Sequence, residues 1–192
     1  MKRTTLLISC IVFCFSCETN TTSSGGELVP LGAERITYED SEVSYVYSQV
    51  DGNTLQEGNE VDGQKHGAWL TYNDKGSISA LTTYHYGKKE GVTIAFDKQG
   101  YPSVKSNYHH DQLSGDYRVF KRGKVIETRN YIDGQLEGPV KKYYESGKML
   151  EESNYRNGQL DGIAKWYDQQ GELTIAYRYE NGELVDKNAV TE

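Results

Sequence analysis

The chain has 192 residues, with abundant glycine (20), little proline (3) and 16 tyrosines. Its formal net charge of −7 is spread along the sequence without the basic cluster that nucleic-acid binding requires. The same dispersed charge disfavours anionic lipid headgroups, so we expect neither nucleic acid nor direct lipid contact.

The N-terminus is similar to a bacterial lipoprotein signal. A basic start, MKRTT, precedes the apolar run LLISCIVFCFSC, which is too short to span a bilayer, and Ser16 stands directly before Cys17. The resemblance implies a signal peptide over residues 1–16 and a lipid, such as palmitate, on Cys17. It places the protein in a bacterial cell envelope, at the outer membrane, facing the periplasm or the cell surface. A plain secretory signal or an uncleaved anchor is the alternative.

Residues 17–34 are rich in Ser, Thr and Gly without periodicity, which predicts a flexible tether behind the lipidated cysteine. Cleavage removes Lys2 and Arg3, leaving 19 basic against 28 acidic residues, a charge of −9. We therefore expect membrane contact through the lipid anchor alone. Cys14 and Cys17 spell C-x-x-C, but without a second ligand pair this predicts neither a zinc nor a redox site.

Residues 35–62 differ from the tether in composition and begin the folded part of the chain. Tyr45 and Tyr47 recur among polar residues, as in a strand with one buried face. Asp51-Gly52 then predicts a tight turn, after which an apolar segment returns as far as Val61. This pattern predicts a degenerate repeat that caps the array.

A repeat occupies residues 63–181 and decides the architecture. A partial sixth unit and the C-terminal tail fill 182–192. The spacings between unit starts are 24, 24, 23, 24 and 24 residues, too regular for chance. In the units that begin at Gly134 and Gly158, glycine stands at positions 1, 5 and 14, an aromatic residue at position 10 and tyrosine at position 22. The five complete units begin at Gly63, Gly87, Asp111, Gly134 and Gly158.

Each unit contains two short segments rich in Tyr, Val, Ile and Thr, which favour strands and are too short for stable helices. Dipeptides such as Asn157-Gly158 between units predict tight hairpin turns. Within units, Glu145-Ser146-Gly147 predicts a three-residue loop, and Arg122-Gly123 a two-residue one. The fold is therefore predicted to be all-β, an elongated single-layer antiparallel meander of repeated hairpins.

The predicted loops also set which residues share a face of the sheet. They place Tyr143 opposite Met149, and strict alternation then puts Tyr155 on the face of Tyr143. The turn at Asn157-Gly158 sets Leu160 beside Tyr155 but leaves Tyr167 out of phase. A bulge at the second glycine of each unit is expected to restore the phase.

The pattern G-x-x-x-G-x-x-x-x-aromatic-x-x-x-G-x-apolar-x-x-x-x-x-Tyr, repeated over residues 63–181, resembles the bacterial variant of the MORN repeat (membrane occupation and recognition nexus). Chains of this kind are often labelled YwqK-type antitoxins, a label that rests on association. The resemblance implies a single-layer ribbon of hairpins with a binding or scaffolding role. It implies no catalytic residues, and the export signal differs from what a cytosolic antitoxin would carry.

Few residues suggest chemistry. The chain has no G-x-S-x-G, P-loop, G-x-G-x-x-G or H-E-x-x-H motif, so we expect no enzyme and no cofactor. His109 and His110 are adjacent, but neighbours on a strand point to opposite faces, so no metal site is expected. Glu90, Glu137 and Asp161 each precede the second glycine of a unit. Recurrence at a turn favours turn geometry over paired carboxylates for acid–base catalysis.

The candidate binding surface consists of Trp69, Tyr117 and Trp166, which are predicted to lie opposite the position-10 aromatics. Exposed aromatics on a flat sheet stack on sugars or bind a partner protein. The alternative for each is packing against the tether, the cap or a neighbouring strand. The expected function is a non-enzymatic envelope lipoprotein that binds or scaffolds another envelope protein. An immunity protein that neutralises a cognate toxin, and a glycan- or peptidoglycan-binding protein, are the alternatives.

Overall fold

The computed structural model describes residues 26–187, which form one open antiparallel sheet of seventeen strands and no helix. The predicted all-β fold is confirmed. Residues 1–25, which include the predicted signal peptide, Cys17 and the first part of the predicted tether, lie outside the described part, as do residues 188–192. The strands are β1 (Glu34–Thr37), β2 (Ser44–Val50), β3 (Asn53–Val61), β4 (Gln64–Tyr72), β5 (Ile78–His85), β6 (Lys88–Phe96), β7 (Pro102–His109), β8 (Gln112–Leu113), β9 (Gly115–Lys121), β10 (Lys124–Ile132), β11 (Gln135–Leu136), β12 (Gly138–Tyr143), β13 (Met149–Arg156), β14 (Gln159–Leu160), β15 (Gly162–Tyr167), β16 (Leu173–Glu180) and β17 (Glu183–Asp186).

The strands follow one another as a meander. Each long strand pairs with the next one along the chain, from β1 with β2 to β16 with β17. The two-residue strands β8, β11 and β14 are the first parts of β9, β12 and β15, and they pair with the same neighbour. The sheet is therefore a single layer. No segment of residues 26–187 forms an apolar helix of membrane-spanning length.

The turns are those that the sequence predicts. Asn157 and Gly158 have φ of 50° and 77°, and Asp51 and Gly52 have 52° and 77°, which matches a tight hairpin turn with two left-handed residues. Arg122-Gly123 forms the predicted two-residue turn, with φ of 51° and 76°. In the longer loops the carbonyl of position 11 accepts from the amide of the left-handed glycine, as between Tyr144 and Gly147 at 2.8 Å.

The predicted pairing across each loop is also confirmed, since Tyr143 lies opposite Met149 and Tyr167 opposite Leu173. Directly after this pair, however, the second strand of each unit contains one residue without a partner on the first strand, and this residue forms a bulge. In three units this residue is Ser or Thr, and its hydroxyl donates to a carbonyl on the facing strand. Local satisfaction of the unpaired backbone stabilises the bulge. The bulge residues are Ser79, Ser103, Ile126, Leu150 and Thr174.

The second irregularity lies where it was predicted, at the second glycine of each unit, but it has a different consequence. Tyr155 pairs with Leu160, and Glu152 pairs with Lys165. Between these two pairs lie two residues of β13 and four residues of the facing segment. Because two extra residues are inserted, alternation continues in phase. The expected restoration of phase at this glycine is therefore wrong. The phase changes instead at the bulge after the loop.

This correction reassigns the faces of the sheet. Tyr155 lies on the face of Lys142 and Glu151, opposite Tyr143, and the prediction that both tyrosines share a face is wrong. We call the side with Trp69, Tyr117 and Trp166 the aromatic face, and the side with the position-10 aromatics the ladder face. The tyrosines at position 22, or at position 21 in the shorter third unit, lie on the aromatic face, as the registers show. They are Tyr84, Tyr108, Tyr131, Tyr155 and Tyr179.

An N-terminal arm, residues 26–33, packs on the aromatic face at the first repeat. Leu28 bridges Gln64, and the amide of Val29 donates to the carbonyl of Gly63 at 3.1 Å. Val29 is buried in a cluster with Val46, Trp69 and Tyr84. The composition assigned the arm to a flexible tether, and for these residues that prediction is wrong, because a short apolar and acidic stretch finds a matching surface on the sheet.

Candidate binding surface

Trp69 belongs to the core and not to a binding surface. Its side chain is 2% exposed, and its ring covers Gly58, where a Cβ atom would lie 2.5 Å from the ring. The indole Nε1 donates to the carbonyl of Asn59 at 2.7 Å, which satisfies its one polar atom. Its predicted position, on the face of the sheet opposite to that of Tyr72, is correct. Its predicted exposure is wrong, and packing against the arm and cap is the alternative that holds.

The buried side chain of Lys65 packs its ammonium group against this cluster. Lys65 Nζ lies 4.6 Å from the centre of the Trp69 ring and 5.2 Å from that of Tyr84. It also contacts Glu27 Oε1 at 2.5 Å and Gln56 Oε1 at 2.9 Å. Tyr84 donates its hydroxyl to Glu27 Oε2 at 2.9 Å, and burial with this carboxylate raises the pKa of Tyr84. A charge removed from water is tolerated because it is paired.

Tyr117 lies at the same unit position as Trp69 but is half-buried. It pairs across the strands with Arg129, whose guanidinium lies 5.2 Å from the ring centre. The Tyr131 ring meets Tyr117 edge-on, with centres 5.6 Å apart. Glu127 accepts from Arg129 Nε at 2.7 Å, and this bond raises the pKa of the guanidinium. The arginine is therefore fixed as a charged platform over the tyrosine.

Trp166 is half-buried at the other end of the surface. Its ring and that of Tyr177 meet edge-on with centres 5.6 Å apart. In register it lies between Glu151 and Ile175, and Ile175 is 44% exposed. The aromatic pair and the neighbouring isoleucine make an apolar patch that the sheet itself does not cover.

A row of charges joins the two aromatic pairs. Glu127 pairs with Lys142, Lys142 with Glu151 and Glu151 with Trp166, on four neighbouring strands. Lys142 Nζ lies 2.9 Å from Glu151 Oε2. At about 4.8 Å per strand, the row is roughly 14 Å long. We call this region the aromatic surface. It comprises Tyr117, Glu127, Arg129, Tyr131, Lys142, Glu151, Trp166, Ile175 and Tyr177.

The recurrent carboxylates have the structural role that their position predicts. Glu137 Oε2 accepts from the amide of Asn157 at 2.8 Å, and Asp161 Oδ2 from the amide of Asn181 at 3.5 Å. Glu90 Oε2 accepts from the amide of His110 at 2.9 Å. Each carboxylate therefore caps the turn that ends its own unit.

The prediction that His109 and His110 point apart is wrong. β7 ends at His109, and His110 lies in the turn with φ of 48°. Strand alternation therefore does not apply between them, and their ring centres are 4.1 Å apart.

A comparison with known protein families finds a match in one of the repeat units. Residues 136–157 match the MORN repeat variant. This match lies within the unit that runs from Gly134 to Asn157. No curated protein matches the chain.

Two solved structures are similar over about half of the chain. A mutant of S. aureus TarM in complex with Fondaparinux, alpha-GlcNAc-glycerol and UDP has 18% identity and a TM-score of 0.35, covering 51% of this chain and 20% of its own. A second structure of TarM has 16% identity and a TM-score of 0.36, covering 57% and 21%. The chain spans about a fifth of the length of these structures. Similarity at this level supports no inference about function.

Proposed function

We propose that the chain is a non-catalytic binding module of the bacterial cell envelope, anchored by a lipid on Cys17, whose aromatic surface binds another envelope protein. The observation that carries this proposal is the pair of half-buried aromatic contacts, Tyr117 with Tyr131 and Trp166 with Tyr177, on one face. A repeat fold that matches a MORN variant supports a binding role over a catalytic one.

The chemistry of the surface suits a protein partner. Tyrosine, tryptophan and arginine give the largest contributions to protein interfaces, because they bury much apolar area and keep a polar end. A row of alternating charges beside them fixes the orientation of a partner more than it adds affinity. Since the residues common to all units build hairpins, specificity lies in positions that differ between units.

Crosslinking in intact cells tests the surface. The wild-type chain is expected to give a discrete crosslinked species that the double variant Tyr117→Ala/Trp166→Ala loses. Tyr143→Ala removes an aromatic side chain from the opposite face and serves as the matched control. Equal crosslinking by all three proteins would exclude this surface as the interface.

The anchor is tested separately. Radioactive palmitate is expected to label the wild-type chain and not Cys17→Ser, and the variant is expected to leave the membrane fraction. A Cys17→Ser protein that stays membrane-bound, with an unlabelled wild type, would contradict the lipid anchor without affecting the surface.

The two alternative functions give different results. An immunity protein would rescue cells from a toxin encoded beside it and would form a complex with that toxin. A glycan-binding protein would sediment with isolated cell-wall polymer, and Trp166→Ala would abolish this. Burial of Trp69 removes it from the surface available to either partner, so the test of glycan binding rests on Trp166.

A further inference from the structure

The four histidines of the chain lie at two consecutive turns on the same side of the ribbon, where the strands end. His66 and His85 have ring centres 5.3 Å apart at the first turn. His109 and His110 have ring centres 4.1 Å apart at the second. The histidines are therefore clustered by the 24-residue period, which brings residues far apart in sequence to the same edge.

A carboxylate completes the second group. Glu90 lies on β6, beside β7, and its Oε1 is 2.8 Å from His109 Nδ1. One ligand atom from each of Glu90, His109 and His110 can be chosen so that all lie within 4.8 Å of one another. Both histidines are exposed and the glutamate is half-buried, so an ion can reach the group from solvent.

Two features prepare these side chains for an ion. The amide of His110 holds Glu90 Oε2, so the carboxylate is oriented before any ion arrives. This bond, followed by that with His109, lowers the pKa of Glu90. Two imidazoles and one carboxylate suit Zn²⁺, Ni²⁺ or Cu²⁺ better than Mg²⁺ or Ca²⁺.

Comparison with the other turns shows that the two histidines are not needed to cap a turn. Glu137 caps its turn in the same way, yet the neighbouring residues there are Arg156 and Asn157. Asp161 does so beside Glu180 and Asn181. A carboxylate alone is therefore sufficient to cap a turn, and the two imidazoles beside Glu90 serve no capping role.

We propose that Glu90, His109 and His110 form a surface site for one divalent transition-metal ion of the zinc type. The ion takes one nitrogen from each imidazole and an oxygen from Glu90, and solvent fills the remaining positions. A proton on the ligating nitrogen either moves to the other ring nitrogen or is released to solvent.

Titration of the untagged full chain with zinc chloride tests the site, with heat of binding as the readout and magnesium chloride as the comparison ion. One equivalent of zinc is expected to bind wild type, and His109→Ala and His110→Ala to weaken binding roughly tenfold or more. His66→Ala/His85→Ala removes two imidazoles at the neighbouring turn and is expected to leave binding unchanged.

Glu90→Gln separates ligation from turn capping, because the amide oxygen still accepts from the His110 amide but carries no charge. It is expected to weaken zinc binding, while Glu137→Gln, the matched change two units later, leaves binding unchanged. Circular dichroism of each variant checks the sheet. Zinc binding no stronger than magnesium binding, or equal zinc affinity in wild type and His109→Ala/His110→Ala, would overturn the proposal.

Discussion

Trp69 and Tyr117 occupy the same position of two repeats and lie on the same face, yet one is core and the other surface. Over Trp69 lie the N-terminal arm and the buried Lys65, and beneath it lies Gly58. Tyr117 instead contacts Arg129 and the ring of Tyr131, and it stays half-buried. A repeat position therefore does not fix burial. In a single layer, burial depends on whether another segment covers that stretch of the face.

The largest expected effect separates the two regions by stability. Trp69→Ala should lower the free energy of unfolding by about 3–5 kcal/mol, because it removes a fully buried aromatic side chain and leaves a cavity. Trp166→Ala should cost about 1 kcal/mol or less, since its ring is half-solvated. Urea unfolding followed by circular dichroism measures both. Equal losses would mean that the aromatic surface is as much core as the capped end.

Gly58→Ala tests how closely the Trp69 ring packs on the neighbouring strand at the core end. The new Cβ would lie 2.5 Å from the Trp69 ring, so the ring must shift, at a cost of about 1–3 kcal/mol. In the double variant Gly58→Ala/Trp69→Ala this added cost should largely vanish, because the colliding ring is gone. A double-mutant cycle by urea unfolding measures the coupling. Additive costs would show that the glycine is needed for another reason.

Acidification should loosen the N-terminal arm. Burial opposes ionisation of Glu27, but hydrogen bonds from Lys65 and Tyr84 outweigh it and lower the pKa of this carboxyl. Since the folded pKa lies below the unfolded value of about 4.3, the stabilisation is complete above that pH and is lost as the pH falls through the folded pKa. Limited proteolysis of the arm with pepsin against pH measures this.

Glu27→Gln should remove the part of the pH dependence of arm cleavage that comes from this carboxyl, because the amide at residue 27 does not titrate. The variant should also be cleaved faster than wild type at the upper end of the range. Identical pH profiles for wild type and Glu27→Gln would contradict a role for this ion pair in holding the arm.

The smallest expected effect concerns the bulge after the loop. Thr174 Oγ1 donates to the carbonyl of Trp166 at 2.9 Å in an exposed position, so Thr174→Ala should cost only about 0.5 kcal/mol. Thr174→Ser keeps the hydroxyl and is the control. Thermal unfolding measures both, and a loss as large in the serine variant would point to the methyl group instead of the hydrogen bond.

Hairpins, turns and cross-loop pairs such as Tyr143 with Met149 could be predicted because local chemistry determines them. Asn-Gly and Asp-Gly take the left-handed conformation at low cost, and the loop length then fixes the facing pair. The bulge after the loop could not be predicted with confidence, since its residues include Ile126 and Leu150 as well as serine and threonine. Missing it reversed the face of every position-22 tyrosine.

The site was predicted only in part for a similar reason. Tyr117 and Trp166 lie on the aromatic surface, but strict alternation puts the tyrosines near the end of each unit, Tyr131 among them, on the other face, and no pattern in the sequence singles out Tyr177. Tyr177 became recognisable only from the register that sets it diagonal to Trp166. His109 and His110 were separated by a rule for strands that does not hold across a turn.

The sequence by itself determined the repeat, the hairpins and the order of the strands, because each depends on contacts within about 24 residues. Only the tertiary structure decided which aromatics are buried, since the arm, the cap and the first repeat must meet before Trp69 is covered. It also decided the faces, because one unpaired residue per unit turns every later side chain to the other side. Local chemistry determines the hairpins, and long-range contacts decide which aromatic residues are core and which lie on the aromatic surface.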